Sequence, residues 1–142
     1  LKLELDVPKE LYNQSIIKLS LQPLVENACI HGLELKRGRN KGEVRIGGFR
    51  NNDEFILYVR DNGKGMPQEA VDTFNRYFED GGKNSELEGH IGMVNVYSRL
   101  KIHYGSQAGM SISSKEGQGT TVRLSLPYQA LTQLNGGYKN II

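Results

Sequence analysis

Two pairs of hydrophobic strands, each closed by a short polar turn, do most to limit the folds open to this chain. Glu43 to Phe49 and Glu54 to Arg60 read as strands joined through Arg50-Asn51-Asn52-Asp53. Met110-Ser111-Ile112 and Thr120 to Leu126 read as a second pair across Lys115-Glu116-Gly117-Gln118, with Val122, Leu124 and Leu126 on one face. Turns this short join antiparallel neighbours, whereas parallel strands need a long crossover. Helical segments alternate with the strands, but hairpins dominate the strand connections. That disfavours a doubly wound parallel sheet and predicts an α/β two-layer sandwich, a mixed or antiparallel sheet with helices on one face.

The helical segments carry their own signals. Ser20 can cap a helix whose Pro23 falls in the first turn, where a missing N–H costs little. Leu21, Leu24, Val25 and Ala28 recur at helical spacing and form a buried stripe. The same periodicity puts Pro23, Glu26, Asn27 and Ile30 on the opposite face, and Gly32 ends the helix. Gln68 to Phe78 is expected to be helical, with Ala70, Val71, Phe74 and Phe78 on one side. Met93, Val96, Tyr97 and Leu100 space a third helix ending near Tyr104-Gly105. Glu79 to Glu88 is polar and glycine-bearing, with too little apolar content to pack, and reads as mobile. Leu1, Leu3 and Leu5 alternate with Lys2 and Glu4 as a short half-buried strand before Pro8. One domain is expected over residues 1–127, with a tail over 128–142 left unassigned.

Composition removes several function classes. At 142 residues the chain has the length of one domain with a real core. A net charge of +2 is too mild to argue for nucleic acid, and Lys36-Arg37-Gly38-Arg39-Asn40-Lys41 reads as a solvated, glycine-broken loop. Cys29 stands alone, so no internal disulfide or thiolate metal cluster forms, which fits a reducing, cytosolic setting. No apolar run reaches membrane-spanning length, and no signal peptide is visible. The sequence opens at Leu1, without Met and already in a strand, so a piece of a longer protein is expected. A P-loop, Rossmann glycine spacing and Ser or Cys nucleophile motifs are all missing. His31, His90 and His103 show no metal-ligand spacing.

What remains is a set of polar and glycine clusters at the ends of regular elements. Asp61-Asn62-Gly63-Lys64-Gly65-Met66 follows a strand run. A carboxylate at a pocket mouth accepts a hydrogen bond from adenine's exocyclic amine and rejects guanine, whose carbonyl would set acceptor against acceptor. Gly63 and Gly65 let backbone approach a flat base. The bland alternative is an ordinary Asp-Asn-Gly turn. Asn27, mid-helix where Asn is a poor helix former, offers an amide oxygen to the oxygen shell of Mg2+. Glu26 can bind that shell, act as a base, or be a solvated helix carboxylate. His31 can point a donor at phosphate or serve as a helix C-terminal cation. Gly89 and Gly92, with a helix starting near Met93, suit phosphate binding through unpaired N–H groups, although glycine is common at helix starts without a ligand. Gly119-Thr120-Thr121 is the weakest cluster, because threonine is ordinary in strands. Arg99 is open between a surface role and a phosphate partner.

Leu21-Gln22-Pro23-Leu24-Val25-Glu26-Asn27-Ala28 with His31-Gly32 resembles the N box of the ATP-binding catalytic domain of bacterial two-component sensor histidine kinases, in its LytS/YesM-type form. Asp61 to Met66 resembles the first glycine box of that domain. Gly89-His90-Ile91-Gly92-Met93-Val94-Asn95-Val96 with Arg99-Leu100 resembles the second, and Gly119-Thr120-Thr121-Val122 the last. The domain belongs to the GHKL superfamily, with gyrase B, the heat-shock chaperone ATPase domain and MutL. The resemblance runs from about the first strand to Pro127, and the combination is specific where no single box is.

The resemblance implies the Bergerat fold, a mixed, mostly antiparallel sheet of about five strands with about three helices on one face and a flexible ATP lid. It implies ATP and Mg2+ as ligands, with Asn27 on the metal and Asp61 on the adenine amine. Gly89 and Gly92 would border the phosphates, Glu26 and Asn27 would be catalytic, and His31, Gly63, Gly65, Met66, Ile91, Met93, Thr120 and Thr121 would complete the pocket. Autonomous ATPases of the superfamily carry a Glu one helical turn before the Asn. Pro23 stands there and cannot act as a base, so self-sufficient hydrolysis is not expected. His90 stands where the family usually has glycine. No phosphoacceptor box of the N-P-H-F type occurs, so the acceptor histidine is expected before Leu1, on a dimerisation domain of the same parent. A response regulator and a membrane-anchored homodimeric parent, with this domain cytoplasmic, complete the implied context. The rival readings are a degenerate nucleotide-sensing module and an anti-sigma-type serine kinase of the same superfamily.

Overall fold

Alternation along the strands sorts one sheet into a wet face and a dry one. A computed structural model of the chain describes residues 2–7, 22–29, 42–83 and 91–128. Among them β1 (Lys2–Asp6), β2 (Glu43–Asn51), β3 (Glu54–Asp61), β4 (Gly109–Lys115) and β5 (Gly119–Pro127) lie in the order β1-β2-β3-β5-β4. β1 runs parallel to β2 and every other neighbour is antiparallel, so the mixed sheet is borne out. Val44 and Ile46, Phe55, Leu57 and Val59, Met110 and Ile112, and Leu124 and Leu126 are buried on the inner face. Arg45, Arg60 and Arg123 are exposed on the outer one.

Three helices meet that inner face: α1 (residues 22–29), α2 (Gln68–Glu79) and α3 (Ile91–Tyr104). Leu24 and Ala28 of α1, Val71, Phe74, Tyr77 and Phe78 of α2, and Met93, Val96, Tyr97 and Leu100 of α3 join one core with the strands. Each buried Val, Leu, Phe or Met among them contributes about 1.5–3 kcal/mol, which makes this layer the main source of stability. Phe78 and Tyr97 lock α2 against α3 with ring centroids 5.3 Å apart, and the Tyr97 hydroxyl donates to the Phe78 carbonyl at 3.1 Å. Burial, with Tyr77 and Asp80 adding to it, raises the Tyr97 hydroxyl above its ordinary pKa.

Among the described residues β4 ends the sheet, and one of its edges has no strand neighbour. Asn75 of α2 fills that role at one residue. Its Nδ2 donates to the Ile112 carbonyl and its Oδ1 accepts from the Ile112 N–H, both at 2.9 Å. Asn75→Ala leaves two part-buried backbone groups unpaired and is expected to destabilise the domain by about 1–3 kcal/mol. Urea unfolding checks this: a lower midpoint at unchanged m-value is expected.

Several boundaries differ from the sequence expectation. Asp61 is the last residue of β3, not the first beyond it, because its backbone still pairs with Val44 and Thr120. The first hairpin turn shrinks to Asn52-Asp53, with Asn52 in the left-handed region at φ 56°. Of the expected mobile segment 79–88, residues 79–83 fall among the described residues, and Glu79 is the last residue of α2. In a half-buried strand the leucine face of β1 would be covered, but Leu5 is 55% exposed at the edge of the sheet, while Val7 just beyond it is buried. Tyr128 docks on the first hairpin: its N–H donates to the Asp53 carbonyl at 2.9 Å, and the Arg50 guanidinium lies 4.1 Å from its ring centre. Ser20, Leu21, Ile30, Gly32, the basic loop 36–41 and residues 84–90 lie outside the described residues. No described helix is long and apolar enough to cross a membrane.

Candidate functional site

Strand pairing brings the first and last clusters together. Asp61 sits directly opposite Thr120, and both continue the inner face begun by Val59 and Val122. Asp61 is 8% exposed, the one buried charged side chain among the described residues. Its Oδ1 accepts the Gly63 N–H at 2.9 Å, which curls the loop around the carboxylate. Asn62 ties the end of β3 to the start of β2: its Oδ1 accepts the Glu43 N–H at 2.8 Å, and its own N–H donates to the Glu43 carbonyl at 3.3 Å.

The glycines are required by close backbone approach. Gly65 has φ +69° and Gly119 φ +106°, and a Cβ would strike the Lys115 carbonyl in the first case and the Asp61 carbonyl in the second. The Gly117 N–H donates to the Lys64 carbonyl at 2.6 Å, so the loop after β3 lies flat on the β4–β5 turn. Ser114 completes the seam, accepting the Met66 N–H at 2.9 Å.

These elements enclose a cavity of about 250 Å³. Asn27, Asp61, Lys64 and Thr120 supply its polar groups, and Leu24, Val59, Phe74, Met93, Ile112 and Val122 its apolar walls. Pockets that bury a whole drug-sized molecule span roughly 300–1,000 Å³, so this hollow suits a flat base and part of a sugar, with the rest of a nucleotide outside. An apolar slot with one buried carboxylate on its wall is complementary to an aromatic ring bearing an amine.

Of the residues singled out in the sequence, Asn27, Asp61, Gly65, Met66, Met93 and Thr120 line this cavity. Gly63 is buried behind the carboxylate. Asn27 was expected on the face opposite the apolar stripe, yet it lines the same hollow as Leu24 and Ala28. Asn27 follows Leu24 by three residues, so the amide sits at the flank of the stripe and both reach one side of α1. Glu26 is exposed and accepts a hydrogen bond from the Gln22 Nε2 at 3.2 Å. Thr121 pairs with Arg60, its side chain directed to the outer face. Ile91 is the first residue of α3, and Gly92 is exposed in its first turn. His31, Gly89 and His90 lie outside the described residues. Ser114 belongs to none of the clusters singled out in the sequence, although alternation from Met110 and Ile112 puts it on the inner face. Among the described residues no group of three or more His, Cys, Asp or Glu side chains could hold a metal ion.

Residues 13–130 match the family model described as histidine kinase-, DNA gyrase B-, and HSP90-like ATPase. Over 128 residues the chain is 30% identical to Sensor protein kinase HptS of Staphylococcus aureus, covering 89% of this chain and 23% of that protein. It thus spans less than a quarter of the relative's length. The catalytic domain of histidine kinase ThkA superposes with a TM-score of 0.63 at 15% identity, over 89% of this chain and 78% of that one. The mycobacterial sensor histidine kinase MprB gives 0.60 at 17% identity, over 89% and 82%. The histidine kinase domain of the blue-light activated kinase of Erythrobacter litoralis gives 0.59 at 20%, over 96% and 55%. At such identities these likenesses speak for the fold alone. The family match covers most of the chain, and the chain belongs to the histidine kinase-, DNA gyrase B- and HSP90-like ATPases, as a catalytic domain homologous to those of sensor kinases.

Proposed function

We propose that this domain binds ATP–Mg2+ and transfers the γ-phosphoryl group to a histidine outside it, on the dimerisation domain of the same parent, for relay to a response regulator. One observation carries the reading: Asn27 and Asp61, from separate elements, line a single cavity. Asp61 accepts from the adenine amine while the apolar walls take the ring. The amide oxygen of Asn27 would hold Mg2+ together with phosphate oxygens and water, a donor set that needs no carboxylate cluster. Held there, Mg2+ would supply charge neutralisation at the transferred group. The rest of the catalysis is positioning. Gly89, Gly92 and the start of α3 would border the phosphates with His31 as a donor, and Gly63, Ile91 and Thr121 would act through their backbone. Glu26 is our candidate for taking the proton from the attacking histidine, and its exposure leaves it reachable from a second domain.

The run Leu21 to Ala28 supports our reading of a LytS/YesM-type subgroup, with residues 1–127 as the catalytic unit. Pro23 in place of a general base fits transfer to a partner rather than free hydrolysis. The parent would be a membrane-anchored homodimer with this domain on the cytoplasmic side.

Labelled ATP with Mg2+ is expected to leave the chain itself unlabelled and to label an added parent segment bearing the acceptor histidine. Asn27→Ala should cut that transfer roughly 100-fold or more, since even groups one shell from a metal are worth 10–100-fold. Stable acid-labile label on this chain alone would overturn the assignment. Nucleotide binding indifferent to Mg2+ would favour the sensing module instead.

A further inference from the structure

Ser114 faces the inner side of β4 and pairs with Thr120. Its hydroxyl oxygen lies 2.9 Å from the Met66 nitrogen, 2.8 Å from the Gly119 carbonyl oxygen and 2.8 Å from the Thr120 Oγ1. An amide N–H only donates and a carbonyl only accepts. Met66 therefore donates into the Ser114 oxygen, and the single Ser114 proton goes to Gly119. The third bond forms only if Thr120 gives its own proton to Ser114. Thr120 is then left with lone pairs alone to show to the cavity it lines. Asp61 stands directly across the strand pair from Thr120, where side chains leave the backbone about 4.5–5.5 Å apart. The wall thus carries two acceptors side by side.

We propose that Ser114 is a specificity-positioning residue: by holding the Thr120 hydroxyl as an acceptor, it makes this wall select a base bearing an amine over one bearing a keto oxygen. The proposal rests on the ATP reading above and assigns part of its base selectivity to a residue outside the boxes that carry the resemblance. An unheld threonine hydroxyl could turn and donate to a keto oxygen, which would relieve the clash that Asp61 imposes.

The test compares ATP with inosine triphosphate, whose base has a keto oxygen where adenine has the amine. Calorimetry on the wild-type chain is expected to show clear preference for ATP. Ser114→Ala should lower the ATP-to-ITP affinity ratio about tenfold, and Ser114→Thr, which keeps the hydroxyl, should preserve it. In a Thr120→Val background Ser114→Ala should leave the ratio where it stands. A merely structural Ser114 would weaken both nucleotides alike, and an unchanged ratio overturns the proposal. Should Ser114→Ala fail to fold, Thr120→Val alone decides, since it removes the second acceptor: the ratio falls about tenfold, or the proposal falls. A folded wild-type chain that binds neither nucleotide sinks the ATP reading and this inference with it, whereas selective binding with an unmoved ratio sinks this inference only.

Discussion

Asp61→Asn is expected to weaken ATP binding roughly 10- to 100-fold while leaving the fold in place. A hydrogen bond to a charged group is worth about 1.5–3 kcal/mol, and its loss at a buried site falls on affinity almost entirely. The substitution is isosteric, and an amide oxygen can still accept the Gly63 N–H that shapes the loop. Melting without nucleotide should therefore shift little, and the thermal stabilisation that ATP confers should largely vanish. The new amide can also turn its NH2 toward a keto oxygen, so discrimination against ITP should erode. Unchanged ATP affinity in a folded Asp61→Asn chain would remove the base-reading role from this residue.

Gly119→Ala is expected to have the largest effect on stability. The residue sits at φ +106°, and a side chain there meets the Asp61 carbonyl, which is strand backbone and has nowhere to move. Strain and collision together should cost roughly 3 kcal/mol or more, a drop of about 10 °C in melting temperature for a domain of this size. Gly117→Ala supplies the contrast. Gly117 also has positive φ, at +80°, but a Cβ there meets nothing within 4 Å, so about 1 kcal/mol of backbone strain is expected. The gap between the two variants in thermal unfolding measures the collision together with the extra strain of φ +106° over φ +80°. Equal losses would mean that the β3 end and the β5 start do not touch as described.

The elements were largely legible because each announces itself over short range. Val71, Phe74 and Phe78 recur at helical spacing, and Val122, Leu124 and Leu126 at strand spacing, and burial follows both patterns. The glycine-rich loop after β3 was legible for a similar reason: Gly65 has to adopt a conformation that other residues resist. Leu5 shows the limit, since alternation tells which residues share a face but not whether another layer covers it. Asn27 shows a second limit. Three residues after Leu24, it lies on the flank of the stripe and not opposite it, so dividing the helix into two faces hides a polar group that lines the same cavity as Leu24 and Ala28.

Local chemistry thus settled which segments are helices and strands and which chain reversals are tight, and it singled out the polar and glycine residues proposed for the site. Those are properties of neighbours a few positions apart, and a linear string carries them whole. The strand order β1-β2-β3-β5-β4, the opposition of Asp61 to Thr120, the place of Asn27 on the same cavity as both, and the bonding of Ser114 to Met66, Gly119 and Thr120 belong to the folded molecule. They depend on which distant segments pair and at what register, and a slip of one residue would turn Asp61 and Thr120 onto the opposite face of the sheet.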